Sequence, residues 1–333
     1  MSDKEMRAIV AEQFGGYQDL KVADIPKPAV SDGRVLVRMT AAGVTPLDHT
    51  ILSGGHPRAK APLVLGNEGA GIVEGGDDQF PDGSRVMFTG PYGVSENGAF
   101  SEWVAVKREH LCPIPQNIDD AAAGLPVAYL TALITLRAAG FRPGKTVFAP
   151  AIGGSVGNAV TQVARALGAK HAVSSTTNHV KAAEAKRLGF SEVVDLSAEG
   201  LVEGVRRLTD GYGADIIVDS IGGDILSDAL GVLAPGGSLT TLGYAASRKT
   251  TIDVTHLIWK SASIKSFSPF SQPASAWARA WTTITELLKA GKVKPIVART
   301  FPFEGAAEAL RYLVEGRPFG RVLLTMGRTL RPH

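Results

Sequence analysis

The chain has 333 residues, 44% of them hydrophobic and 20% charged, with a formal net charge of +3. This is the make-up of a globular protein long enough for two domains, and it excludes a disordered or fibrous chain. Charges of both signs alternate without a block of Lys or Arg, no apolar run is long enough to span a membrane, and no apolar signal region follows Met1. Nucleic-acid and membrane partners are therefore not expected, and the expected location is cytoplasmic.

The first third reads as short strands. Residues 33–40 alternate as a half-buried strand, and similar runs recur at Leu63–Leu65, Gly71–Glu74 and Arg85–Phe88, separated by Gly, Pro and Asp turns. We read residues 1–118 as the first part of a compact β-rich domain. The single cysteine, Cys112, precedes Pro113 and reads as a small packed hydrophobe.

The stretch Thr146–Ala169 reads as strand, glycine turn, helix. Ala151, Gly154 and Gly157 occupy the three small positions of a dinucleotide fingerprint in the spacing A-x-x-G-x-x-G. The first allows a tight turn, the second lets the N–H groups around Ser155 and Val156 approach a pyrophosphate, and the third lets helix pack on strand. Val156, Val160, Val163, Ala164 and Leu167 then form one apolar stripe, and Gly168 stops the helix. Further apolar strands at His171–Ser174, Val193–Asp195, Asp215–Asp219 and Gly237–Gly243 alternate with helical segments. This pattern predicts an α/β fold with a doubly wound parallel sheet, the Rossmann arrangement, over residues 119–262.

At the end of the second strand an Asp or Glu would hold the adenosine ribose 2′-hydroxyl. The sequence instead runs from Ser174 through Ser175, Thr176, Thr177, Asn178 and His179 to Lys181. Hydroxyl donors and a lysine suit a 2′-phosphate, so the expected cofactor is NADPH. The alternative is a helix-capping loop followed by a solvated lysine. Beyond residue 262 come a helix near Ala280–Leu288, an extended Val293–Thr300, a helix near Glu304–Val314 and a last strand ending at Thr325. We read residues 263–333 as returning to the first domain, with the active site in the cleft between the two. Phe267–Phe270 with Trp277 and Trp281 reads as an apolar wall or a subunit interface.

Met6–Ile9, Ala41–Asp48, Leu65–Gly71, Gly98–Glu102, Leu130–Ala132 and the Ala151–Gly157 turn resemble, in order and distance, the medium-chain dehydrogenase/reductase superfamily over nearly the whole chain. Within it the sequence is similar to the zinc-independent quinone oxidoreductase branch. The resemblance implies a GroES-like catalytic domain, NADPH-dependent hydride transfer to a quinone or an α,β-unsaturated carbonyl, and a homodimer. It leaves as alternatives an enoyl-thioester reductase and a non-enzymatic NADPH-binding sensor or RNA-binding protein of the crystallin-like type. It also implies that the catalytic-zinc ligands of metal-containing relatives would fall at Thr45, at Asn67 and near Leu125 or Pro126, none of which suits zinc. Asp48, Glu68 and His49 are read as loop anchors, so no metal is expected.

Hydride transfer without a Lewis acid leaves an oxyanion that needs hydrogen-bond donors and a proton. The catalytic candidates are His56, Tyr92, Thr45 and Asn67. In the enoyl-thioester reductases a catalytic Tyr falls near His56, and the alternative is a solvent-facing loop histidine. Tyr92 is either a cleft residue or a turn aromatic over the β core. In relatives the hydroxyl matching Thr131 lies near the nicotinamide, the alternative being a bond back to its own helix. Gly243 and Tyr244 end the fifth strand at the carboxyl edge of the sheet, where cofactor contacts gather.

Overall fold

A computed structural model describes residues 4–31, 33–268 and 271–327. It divides into two compact units, one formed by the chain up to Val127 and from Pro295 onward, the other by Ala128–Lys294. The first unit begins with β1 (Glu5–Ala11), β2 (Leu20–Pro26), β3 (Arg34–Val44), the short helix α1 (Pro46–Leu52), β4 (Leu63–Val64), β5 (Glu68–Glu74), β6 (Arg85–Thr89), β7 (Trp103–Lys107) and β8 (Leu111–Pro113). After α2 (Pro126–Ala138) the second unit runs through β9 (Thr146–Ala149), α3 (Ser155–Ala166), β10 (His171–Thr176), α4 (His179–Arg187), β11 (Val193–Asp195) and α5 (Leu201–Leu208). It continues with β12 (Ala214–Asp219), α6 (Gly223–Gly231), β13 (Leu233–Thr241), α7 (Thr255–Ile258), β14 (Ser263–Ser266) and α8 (Ala274–Lys289). Then β15 (Val297–Pro302), α9 (Ala306–Gly316) and β16 (Arg321–Thr325) complete the first unit.

In the first unit the larger sheet has the order β15-β16-β3-β5-β6-β8, with β7 also paired to β3. β3 holds this sheet together by pairing with β5, β7 and β16, so its alternation fades into continuous burial from Ala41 to Val44. Met39, Val44, Phe88, Phe100 and Phe301 fill the core. Gly43 is required at this crowded point, because a Cβ there would sit 2.3 Å from Glu68 Oε1 and 2.8 Å from the Ala123 carbonyl.

In the second unit, among the described residues, six parallel strands lie in the order β11-β10-β9-β12-β13-β14. The direction of winding reverses between β9 and β12, and in open α/β sheets ligands bind at the strands' carboxyl ends beside such a reversal. Phe148, Val173, Val194, Ile217 and Leu239 pack the sheet against its helices.

The domain boundaries differ from the sequence reading. The chain returns to the first unit at Pro295 and not at residue 263. Ser263–Ser266 is the sixth strand, in register with Ser238–Thr241. Helix α8 stays with the same unit, since Arg137 donates to Thr283 at 2.8 Å and Trp281, Ile284 and Leu288 are buried. Residues 119–127 belong to the first unit, where Val127 donates its N–H to Glu68. Trp281 is therefore core, whereas Phe270 lies outside the described residues.

Candidate active site

The fingerprint turn is built largely from backbone. Ala151 adopts φ +63°, a left-handed conformation that costs a non-glycine residue energy, and its carbonyl accepts the Gly154 N–H at 2.8 Å. Gly157 is held against the turn so closely that a Cβ would meet Pro150 O at 2.2 Å and Ala151 O at 2.4 Å. Gly154 has more room, its Cβ meeting only Ala151 O at 3.2 Å and Ala151 Cβ at 3.7 Å. No side chain caps α3, so the N–H groups at its start, including those of Ser155 and Val156, have no partner in their own helix. Ile152 N–H bonds Ser175 O at 2.8 Å, tying the turn to the end of β10. A dinucleotide pyrophosphate fits this turn: open backbone donors, a positive helix end and a glycine where a side chain would fill the space.

The neighbouring strand ends place the other cofactor candidates. Ser175 and Thr176 are 2% and 5% exposed, so the exposed polar groups of the loop are Thr177, Asn178 and His179. Asn178 caps α4 by accepting the N–H groups of Val180 and Lys181, at 2.8 and 3.3 Å. Lys181 is half-buried in the first turn of that helix, and Thr131 is buried in α2. Gly243 lies so near β12 that a Cβ would meet Ser220 O at 2.5 Å. The buried Asp219 carboxylate holds that loop by accepting from Ile221 N–H, Gly222 N–H and the Thr241 hydroxyl. Tyr244 is half exposed, with the Arg248 guanidinium 5.2 Å from its ring centre.

In the first unit a polar cluster lies inside the β core. Thr45 ends β3 as the cap of α1, and Asp48 accepts both the Thr45 N–H and its hydroxyl at 2.7 Å on one carboxylate oxygen and the Gly66 N–H at 2.9 Å on the other. Asp48 is fully buried, and desolvation pushes its pKa up to about 6 despite those three donors. Asn67 lies 3.3 Å from the Thr45 hydroxyl, and its carbonyl accepts from Thr89 at 2.8 Å. Its amide Nδ2 is buried with no hydrogen-bond partner among the described residues. Glu68 forms a buried ion pair with Arg321, and its second oxygen accepts the Val127 N–H. Burial raises the Glu68 pKa while Arg321 opposes the shift.

The remaining two candidates differ from each other. Tyr92 is wholly buried, with its hydroxyl 3.0 Å from His110 Nδ1 and accepting the Lys107 N–H at 2.8 Å. Burial also raises its pKa, so Tyr92 serves as a core aromatic rather than a free proton donor. His56 is half-buried on the loop after α1, and its Nδ1 accepts the Arg58 N–H at 3.3 Å, which leaves the neutral ring's proton on Nε2. Burial first, then Arg58, lowers its pKa below the usual histidine value.

A family model described as "Alcohol dehydrogenase GroES-like domain" matches residues 31–116, and one described as "Zinc-binding dehydrogenase" matches residues 155–286. The quinone oxidoreductase of Rattus norvegicus is 29% identical over 97% of this chain and 98% of its own length. The chain belongs to the medium-chain dehydrogenase/reductase superfamily, in its quinone oxidoreductase branch. Arabidopsis thaliana has a similar protein, the chloroplastic "NADPH-dependent alkenal/one oxidoreductase", 29% identical over 96% of this chain and 80% of its own. A solved "NAD-dependent alcohol dehydrogenase" is 30% identical, with a TM-score of 0.85 over 97% of this chain and all of that one.

The residues of this medium-chain dehydrogenase/reductase do not fit a catalytic zinc. Thr45 and Asn67 are neutral oxygen and amide groups, Glu68 is committed to Arg321, and Asp48 to Thr45 and Gly66. Among the described residues no group of three His, Cys, Asp or Glu side chains is placed to hold a metal ion. His49 packs against Tyr17, their rings 5.8 Å apart. Sequence reasoning took Asp48 and Glu68 for loop anchors and missed what each anchors. Thr45-Pro46-Leu47-Asp48 carried the signal for the first, because a carboxylate three residues after a cap reaches back to the cap's N–H.

Proposed function

We propose that the protein is a zinc-independent, NADPH-dependent oxidoreductase that reduces quinones or α,β-unsaturated carbonyl compounds. The observation that carries this reading is the partnerless Nδ2 of Asn67, a buried donor beside Thr45 where metal-containing relatives would place ligands. A buried donor without a protein acceptor is suited to a ligand oxygen. Ala151, Gly154, Ser155, Val156 and Gly157 would hold the pyrophosphate, and Thr131, Gly243 and Tyr244 the nicotinamide half. The strand end at Ser175 and Thr176, with the exposed Thr177, Asn178 and His179 that follow it and Lys181, would receive the 2′-phosphate. When bound, the cofactor supplies the hydride. Asn67 Nδ2 then donates to the oxygen that gains charge, Asp48 fixes Thr45 and the Gly66 backbone beside it, and His56 delivers the proton directly or through water.

The names of the rat and Arabidopsis relatives support the substrate class and NADPH. Among the described residues no helix is long and apolar enough to cross a membrane; the proposed enzyme is cytoplasmic and acts on small molecules. We also propose a homodimer. β14 is the edge of the parallel sheet among the described residues, and exposed Val254, Ile258, Trp259 and Ile264 lie on it and just before it. An unpaired edge flanked by apolar side chains favours pairing with a second copy.

The test is NADPH oxidation with a panel of quinones and enones, in the presence and absence of a chelator. Both classes should turn over, chelation should change nothing, and Asn67→Ala should lower kcat by about 10²–10³ with NADPH affinity retained. Activity confined to alcohols and abolished by chelation would overturn the proposal. Light scattering reads the oligomer, with a monomer overturning the dimer.

A further inference from the structure

No acidic residue ends β10, which favours NADPH, but the sheet register brings one beside it. Thr176, the last residue of β10, is the cross-strand partner of Asp195, the last residue of β11. Neighbouring strands lie about 4.8 Å apart. A carboxylate thus stands one strand away from where dinucleotide folds read the adenosine ribose. It is already engaged: His179 Nδ1 lies 2.9 Å from Oδ2, and the Ser197 N–H and hydroxyl both donate to Oδ1. The Ser197 hydroxyl bond and then the His179 bond hold the Asp195 carboxyl below the usual range, so it is ionised when the protein works. The His179 side chain is 83% exposed, and Asn178, not His179, caps the helix that begins there. Nothing in the folding of α4 requires an imidazole at this position.

We propose that Asp195 and His179 together set the choice of coenzyme, Asp195 as the charge that opposes a 2′-phosphate and His179 as the positioning residue that occupies and offsets it. The proposal rests on the nicotinamide-coenzyme reading above. It explains how one loop serves NADPH although a carboxylate is present, and it makes the preference adjustable by one hydrogen bond.

The test measures dissociation constants for NADPH and NADH by fluorescence titration of the intact protein and three variants. Asp195→Asn, which keeps an acceptor for Ser197, should tighten NADPH by about tenfold and move NADH by less than about threefold. His179→Gln should weaken NADPH by about tenfold with little effect on NADH. In the Asp195→Asn background, His179→Gln should do nothing, since its effect runs through Asp195. An unchanged ratio of the two constants in Asp195→Asn overturns the inference alone. So does a full His179→Gln effect in that background, because the imidazole would then be touching the phosphate itself. A parent protein that favours NADH but shifts toward NADPH in Asp195→Asn overturns the NADPH preference and supports the inference. A parent that binds neither coenzyme overturns both. His179→Gln alters only an exposed side chain, so it reads the coupling even if Asp195→Asn does not fold.

Discussion

Gly157→Ala separates the packing role of the fingerprint from its binding role. The added Cβ would lie 2.2 Å from Pro150 O and 2.4 Å from Ala151 O. Both are backbone atoms of the turn, so no side-chain rotation relieves the clash. Carbon–oxygen contacts relax at about 3.3 Å, so α3 must move away from the turn by about 1 Å. Overpacking of this kind costs about 3 kcal/mol, which lowers Tm by roughly 6–12 °C. The same movement carries the N–H groups at the start of α3 away from the pyrophosphate. Losing one charge-assisted bond costs about 2 kcal/mol, a loss of about thirtyfold in NADPH affinity. Gly154→Ala is the control, because its Cβ meets only Ala151 O at 3.2 Å and Ala151 Cβ at 3.7 Å. It should shift Tm by no more than about 3 °C while weakening NADPH at least as much, since the methyl occupies the phosphate's own approach. Differential scanning fluorimetry and NADPH titration read the two effects. A Gly157→Ala protein with the parent's Tm and affinity would refute the reasoning, as would a Gly154→Ala protein that loses stability but binds normally.

If His56 is the proposed acid, it acts only when protonated, and its lowered pKa should make the enone rate fall as pH rises through the region below the usual histidine value. His56→Phe should remove that limb and lower kcat for enones by about 10²–10³, with a smaller effect on quinones, whose reduced anion solvent can protonate; an unaltered pH profile would return His56 to a loop role. Asp48 binds a proton more tightly folded, at about 6, than unfolded, so its contribution to stability is fully present below the unfolded pKa near ~4 and is lost as pH rises to about 6. Unfolding free energy should therefore fall over that window by on the order of 3 kcal/mol, read as a declining Tm, and Asp48→Asn should flatten the decline, while an equal slope in parent and variant would show that another group is responsible. Ala151→Gly relieves the left-handed φ of +63°. It should raise stability by up to about 1 kcal/mol with NADPH binding unchanged, and a lower Tm would mean that the turn carries no strain there.

The fold of the second unit was legible in the sequence because its requirements are local. A left-handed turn, a close backbone approach and a helix packed on a strand each leave a small residue at a fixed spacing, as at Ala151, Gly154 and Gly157. Alternating apolar strands and helices likewise announced the parallel sheet. The boundary at Pro295 was hidden because β14 is a four-residue strand, Ser263–Ser266, with only Ile264 strongly apolar. Its pairing with β13 is set by register and not by pattern. Tyr92 stood on a Gly-Pro-rich loop, and its burial depends on His110 and Lys107, whose positions no spacing rule links to it.

The polar cluster of the first unit was legible only as a set of residue types, because sheet pairing brings its side chains together. Glu68 and Arg321 are 253 positions apart, and they meet only because β16 pairs with β3 and β3 with β5. That pair cannot be simple stabilisation, since burying two charges repays its desolvation only when geometry is well satisfied, and Arg321 Nε is left buried without a partner among the described residues. What the pair does provide is a fixed place for Glu68, and with it the residue before it. Asn67 is thereby held between Glu68 on β5 and the Thr89 hydroxyl on its own carbonyl, with its amide donor left over. The same logic puts Asp195 beside Thr176. In both places a charged residue distant in sequence, Arg321 or Asp195, comes beside its neighbour only through the register of the strands.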